Sequence, residues 1–158
     1  MGTVLFSGWI PGVPRTKGSL DQFHQDSPAS KAWRSVVAEE TKRYMRVCDV
    51  PMIGGLFVPF DGPVAVRCVF VVPPGADGDV GYMALGVGDV DKLARNVLDA
   101  ISIDARLIAD DVQVVRLVCD RVVAAGPPGL ALTVAALDVA DMENCRAAAL
   151  REVSGVRR

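Results

Sequence analysis

Nine consecutive residues, Val64 to Val72, read VAVRCVFVV. Valine loses rotamer freedom in a helix and fits a pleated surface, so this run is a strand, and one belonging at the centre of a sheet. Everything else in the chain must arrange itself around that strand. Val4 to Ile10 reads as a first strand, ended by Pro11 and Gly12. Val112 to Val123 reads as another, and Pro127, Pro128 and Gly129 turn the chain into a last strand over Leu130 to Leu137.

Helical signals fall between the strands. Ser27 is a candidate N-cap with Pro28 at the first helical position, and Trp33, Val36, Val37, Glu40 and Tyr44 recur near helical spacing. A helix is therefore expected over 28 to about 47. Its surface carries Lys31, Arg34, Lys42, Arg43 and Arg46, which suits either a solvated face or a ridge facing phosphates. A second helix is expected from Asp91 to about 103, with Leu93, Val97, Leu98 and Ile101 as its buried stripe, and a third over 139 to about 152. Residues 51–62 are turn-rich, 73–88 form a long glycine-rich connection of the kind that is a mobile loop or disorder, and 153–158 are expected to fray. The order strand, helix, strand, helix, strand, strand, helix predicts one α+β domain over residues 1–158, with helices packed against one mixed sheet.

Composition narrows the chemistry. The chain has 158 residues, 51% of them hydrophobic and 23% charged, which describes a globular protein with a substantial core. No apolar run approaches the ~18 residues of a membrane span. The start, MGTVLFSGWIPG, lacks a basic n-region and a small-residue cleavage site, so an intracellular, cytoplasmic location is expected. Cys48, Cys68, Cys119 and Cys145 are scattered, with no C-x-x-C pair, and read as buried small apolar residues. A single histidine, His24, leaves little room for imidazole chemistry. Carboxylates, lysines and arginines remain as the reactive groups. The net charge of −2 gives no bulk attraction to polyanions, although a local basic face can exist on an acidic protein.

Two acidic pairs stand out. Asp89 and Asp91 precede the second helix, where a carboxylate is favoured by the helix dipole; one carboxylate suffices for a cap, which would explain Asp91 but not Asp89. Asp91, Arg95 and Asp99 are spaced four apart, as in a solvated ion-pair ladder on one polar face. Asp110 and Asp111 sit where a loop enters an apolar strand, a place where acidic residues also serve as ordinary turn formers. If all four carboxylates lie together they repel, and a hard divalent cation such as Mg²⁺ relieves the crowding.

The segments GDVDKLARNVLDAI and IADDVQVV, with the early GVPRTKGS, resemble the RusA family of Holliday-junction resolvases, endonucleases often encoded by phages and prophages. The family pattern is Asp-x-Asp-Asn-Leu-x-Lys running into a Leu-Asp-Ala helix, then Asp-Asp-x-Gln-Val, with an early Gly-x-Pro-x-x-Lys-Gly element. The resemblance spans most of the chain in order and is most specific between Asp89 and Val114. It implies a RusA-like fold and Mg²⁺-dependent hydrolysis of phosphodiesters at DNA four-way junctions by paired symmetric nicks, with Mn²⁺ able to substitute. It also implies a homodimer and branched DNA as partners. By position, Asp89, Asp91 and Asp111 match the essential metal-binding carboxylates, and Asp110 is the adjacent acid. Arg95 stands where the family has a catalytic lysine, and Lys92 where it has asparagine. Arg15 and Lys17 match positions expected to contact the DNA backbone. Arginine keeps the positive charge at 95 but is a very poor proton donor.

Two other readings remain open. A catalytically degenerate relative would bind junctions without cutting them. An Asp-x-Asp phosphatase would use Asp89 as nucleophile, although that design expects an apolar strand running directly into the first aspartate, and here Gly86, Val87 and Gly88 precede it.

Overall fold

The computed structural model describes residues 2–17, 27–74 and 88–155. His24, most of the glycine-rich connection (75–87) and the last three residues lie outside the described residues.

Val64–Val72 is the strand β4 of a four-stranded sheet whose other members are β1 (Val4–Pro11), β5 (Val114–Val123) and β6 (Gly129–Ala136). The order is β1-β6-β4-β5. β6 runs antiparallel to both β1 and β4, whereas β5 runs parallel to β4, so the sheet is mixed as expected. One face of β4, comprising Val64, Val66, Cys68, Phe70 and Val72, is wholly buried. Burying valine- and phenylalanine-sized side chains in this way contributes roughly 1.5–3 kcal/mol for each, so β4 anchors the domain.

That face is covered by two helices, α1 (Pro28–Val47) and α2 (Val90–Asp99). Ser27 caps α1 as its sequence predicts, its Oγ accepting from the Ser30 amide at 3.1 Å. The buried stripe of α1 is Ser30, Trp33, Val37, Ala38, Thr41 and Met45, which leaves Val36 exposed and Tyr44 at the margin. Tyr44 still packs its ring on Phe6 of β1, with centroids 4.9 Å apart. The basic surface of α1 is largely satisfied nearby: Lys42 pairs with Glu39, Arg43 with Glu40, and Arg34 with Asp104. This matches the solvated-face alternative better than a bare ridge of cations.

Several elements differ from the sequence expectation. The second helix starts at Val90 with Asp89, not Asp91, in the capping position, and it continues through a π-helical turn over Ala100–Asp104. Strand β5 begins at Val114 because Asp110 and Gln113 close a capping box around a 3₁₀ turn, Asp111–Gln113. A small hairpin of β2 (Met52–Ile53) and β3 (Leu56–Phe57) occupies part of the turn-rich segment. Gly54 and Gly55, both at positive φ, make its two-residue turn, where glycine avoids the Cβ clash. The last helix, α3 (Val139–Gly155), runs three residues past the predicted end, into the segment expected to fray.

The cysteines also depart from expectation. All four are free, but only Cys68 is buried, while Cys48 is exposed. Cys68 and Cys119 are direct neighbours across the β4–β5 pair. The hydrogen bond between them pushes the Cys68 thiol up and lowers that of Cys119. No helix among the described residues is long and apolar enough to cross a membrane.

Candidate active site

Glycine at 88 decides how the chain enters α2. Its φ is +91°, and a Cβ there would stand 2.2 Å from Cγ2 of Thr16. The early loop therefore lies directly against the helix entrance. Two further contacts hold it there. The Lys17 amide donates to the Lys92 carbonyl at 3.2 Å. The buried Asn96 side chain donates through Nδ2 to the Arg15 carbonyl at 3.0 Å, and to the carbonyl and Oγ of Ser30 at 3.3 and 3.2 Å. One amide group thus ties the early loop, the start of α1 and the middle of α2 together.

Lys17 then extends its side chain along α2 to form an ion pair with Asp99. Asp99 is 8% exposed and also has Arg34 at 3.8 Å. The ladder expected on α2 is not built among the described residues. Asp99 takes its cations from the early loop and from α1, and Arg95 stays exposed. The physical reason is burial: a carboxylate withdrawn from water needs close, hydrogen-bonded partners, and a solvated arginine on the outer side of the helix does not supply them. Lys17, expected at DNA, rests its ammonium on Asp99 with its side chain half-buried, while Arg15 projects an exposed side chain beside it.

Asp89 and Asp91 share an open cleft of about 570 Å³ with Val90 and with Cys119, Asp120 and Arg121 of β5. Asp89 caps α2 by position, yet its carboxylate makes no capping hydrogen bond. It is 3.1 Å from the Lys92 ammonium instead, so Lys92 rests on the first aspartate. The Arg121 guanidinium reaches back to the Gly88 carbonyl at 2.6 Å and joins β5 to the helix entrance. Asp120 and Arg121 are cleft residues that sequence reasoning did not select. Their signal was weak, because charges on an otherwise apolar strand are common at a sheet edge.

The second acidic pair has divided roles. Asp110 accepts from the Val112 amide at 2.9 Å, and the Gln113 side chain accepts from the amides of Ala109 and Asp110 while donating to Phe60 and Gly62. The Val112 amide, then a hydrogen bond from Asp111, lowers the Asp110 carboxyl below its ordinary value. Asp110 is thus a turn former. Asp111 carries the complementary perturbation. Its hydrogen bond to Asp110 raises its carboxyl, burial and the negative charges of Asp110 and Asp99 push it further, and Lys17 opposes.

Asp111 therefore senses Asp99 and Lys17, while Asp89 and Asp91 open onto the β5 cleft. Among the described residues, no three histidine, cysteine, aspartate or glutamate side chains stand close enough to hold one metal ion. The expected cluster of four is two pairs, as mutual repulsion of uncompensated carboxylates favours. The donor set itself, exposed carboxylate oxygens without histidine or thiolate among the predicted ligands, is the hard kind that magnesium takes. No protein-family model and no curated protein matches the chain.

Proposed function

We propose that this protein is a Mg²⁺-dependent, structure-specific endonuclease that hydrolyses phosphodiesters at four-way DNA junctions, acting as a homodimer. The observation that carries this reading is the assembly of three distant motif segments on one side of the sheet. The early loop docks on α2 through Gly88, Lys92 and Asn96. Lys17 reaches Asp99, and Asp111 lies within electrostatic range of both. These are the segments on which the RusA resemblance rests, and a chance likeness of short motifs gives no reason for them to meet.

Asp89 and Asp91 would hold the ion from the cleft. An ion held there would supply a water of lowered pKa and polarise a phosphoryl oxygen. The remaining work falls to the chain. Lys92, held on Asp89, and exposed Arg95 offset negative charge on phosphate oxygens. Arg95 acts by charge rather than proton transfer, because arginine is a very poor proton donor. Arg15 contacts the backbone of the DNA, where phosphate contacts fix orientation but carry no sequence information.

Isothermal titration with Mg²⁺ and Mn²⁺ tests the metal. Saturable binding lost in Asp89→Asn and in Asp91→Asn supports the reading; no binding by the wild type refutes it. Junction binding without metal-dependent nicking would instead favour a non-cutting relative, and covalent trapping of phosphate on Asp89 would favour a phosphatase.

A further inference from the structure

Cys68 lies mid-way along β4, and Cys119 stands directly opposite it on β5. Neighbouring strands of a sheet are about 4.7–4.9 Å apart, and residues opposed in a parallel pair turn their side chains to the same face. That spacing falls within the roughly 4.4–6.8 Å between Cα atoms that a disulfide spans, so the two sulfurs can join without large backbone movement. Both thiols are free, and they share a hydrogen bond. Their surroundings differ. Cys68 is 0% exposed in the core, whereas Cys119 is half-buried and lines the open cleft of about 570 Å³ beside Asp89 and Asp91. Cys48 and Cys145 lie outside the sheet, the first just after α1 and the second within α3. A role as a small apolar residue accounts for Cys68, but not for a second thiol set opposite it at the wall of a cleft.

We propose that Cys68 and Cys119 form an oxidation site, in which a peroxide entering the cleft oxidises Cys119 and Cys68 then closes a disulfide with it. Burial fixes the order, because an oxidant in the cleft meets Cys119 and cannot meet Cys68. The Cys68 S–H donates to the Cys119 sulfur and favours the Cys119 thiolate, the attacking form, against burial and the negative charge of Asp120. Cys119 Sγ attacks one peroxide oxygen. The S–O bond forms as the O–O bond breaks, and the departing hydroxide takes the proton that the Cys119 thiol gave up, leaving as water. The Cys68 sulfur then attacks the sulfenic sulfur. The S–S bond forms, the S–O bond breaks, and the hydroxyl leaves with the Cys68 proton as a second water. Two thiols have given two electrons to one peroxide. A sulfenic acid without a neighbouring thiol passes on to sulfinic acid, which simple dithiols do not reverse, whereas a disulfide is reopened by thiol exchange. Cys68, set behind Cys119, therefore keeps oxidation at the cleft wall reversible.

This site lies beyond the proposed function and does not rest on it, since thiol states are read whether or not the protein cuts DNA. The full chain is treated in its native state with hydrogen peroxide, then unfolded, alkylated and mapped by mass spectrometry without reductant. The wild type should yield two peptides joined through Cys68 and Cys119, which dithiothreitol separates. Cys68→Ala should instead give a sulfenic acid on Cys119 that dimedone traps, and continued peroxide should carry it to sulfinic acid that dithiothreitol does not reverse. Cys119→Ala should leave Cys68 reduced, because no oxidant reaches it. Circular dichroism confirms that each variant is folded, and the wild-type map decides even where a variant is not. Recovery of both wild-type thiols as alkylated cysteine overturns the proposal. So does Cys119 carried to sulfinic acid with Cys68 still reduced, or either thiol joined to Cys48 or Cys145 in place of the other. An unmodified Cys119 in folded Cys68→Ala, or an oxidised Cys68 in folded Cys119→Ala, overturns the order of attack.

Discussion

Asn96→Ala removes one buried amide, and the structure sets what that removal costs. The Asn96 residue is 1% exposed, and its Nδ2 faces three acceptors, the Arg15 carbonyl and the carbonyl and Oγ of Ser30. An amide nitrogen carries two hydrogens, so it satisfies two of these at once. At about 1 kcal/mol net for each bond, those contribute roughly 2 kcal/mol. The space left behind adds about 1 kcal/mol. Against this, Asn96 Oδ1 is buried with no partner among the described residues, and losing it returns about 1 kcal/mol. The expected loss is therefore about 2 kcal/mol, measured as a shift in the urea midpoint with an unchanged slope. Asn96→Asp should cost more, since it turns a donor into a carboxylate aimed at two carbonyl oxygens. If Asn96→Ala stays within about 0.5 kcal/mol of wild type, the early loop is not held through this residue, and the account of how the motif segments assemble is wrong.

Two further predictions concern the same face. Gly88→Ala should destabilise by roughly 2 kcal/mol or more, from left-handed backbone strain and the clash with Thr16. Adding Thr16→Ser removes the offending methyl and should recover the steric share only, so complete recovery would argue against the positive φ. In chelator, Asp111 should make stability fall as pH rises. Its folded carboxyl sits above the unfolded value, so the folded state binds more protons between the two and loses stability as pH climbs through the raised value. Asp111→Asn, which keeps a donor toward Asp110, should lack that decline and melt higher than wild type at pH 7. The gain should be small because both carboxyls face solvent, and an unchanged pH profile would refute it.

Much of the fold was legible because its signals are local. The β-branched runs of β4 and β5, the Ser27–Pro28 cap and the Pro127–Gly129 turn each declare themselves within a few residues. The hairpin had a local signal too, in Gly54–Gly55 between apolar residues, but strands of two residues are too short for periodicity to reveal. The site was legible in its residue types and not in their partners. Asp99 looked like the end of a helical ladder until folding supplied Lys17 from 82 positions earlier. Asn96 was not singled out in the sequence at all, because its acceptors belong to two other segments. Asp110 and Asp111 are neighbours with opposite perturbations, set by which of them accepts the Val112 amide. The start of α2 moved to Val90 because its capping residue is defined by backbone shape, and Asp89 takes that place without using its side chain.

The most direct measurement is cleavage of a labelled four-way DNA junction beside a linear duplex of matched sequence. It is run with Mg²⁺ and with chelator, for wild type and Asp91→Asn. Symmetric nicks in the junction alone, requiring metal and abolished by Asp91→Asn, are the predicted result, and would also show that Arg95 serves where the RusA pattern has lysine. An intact junction under all conditions, or cutting that survives in chelator or in Asp91→Asn, would contradict the account.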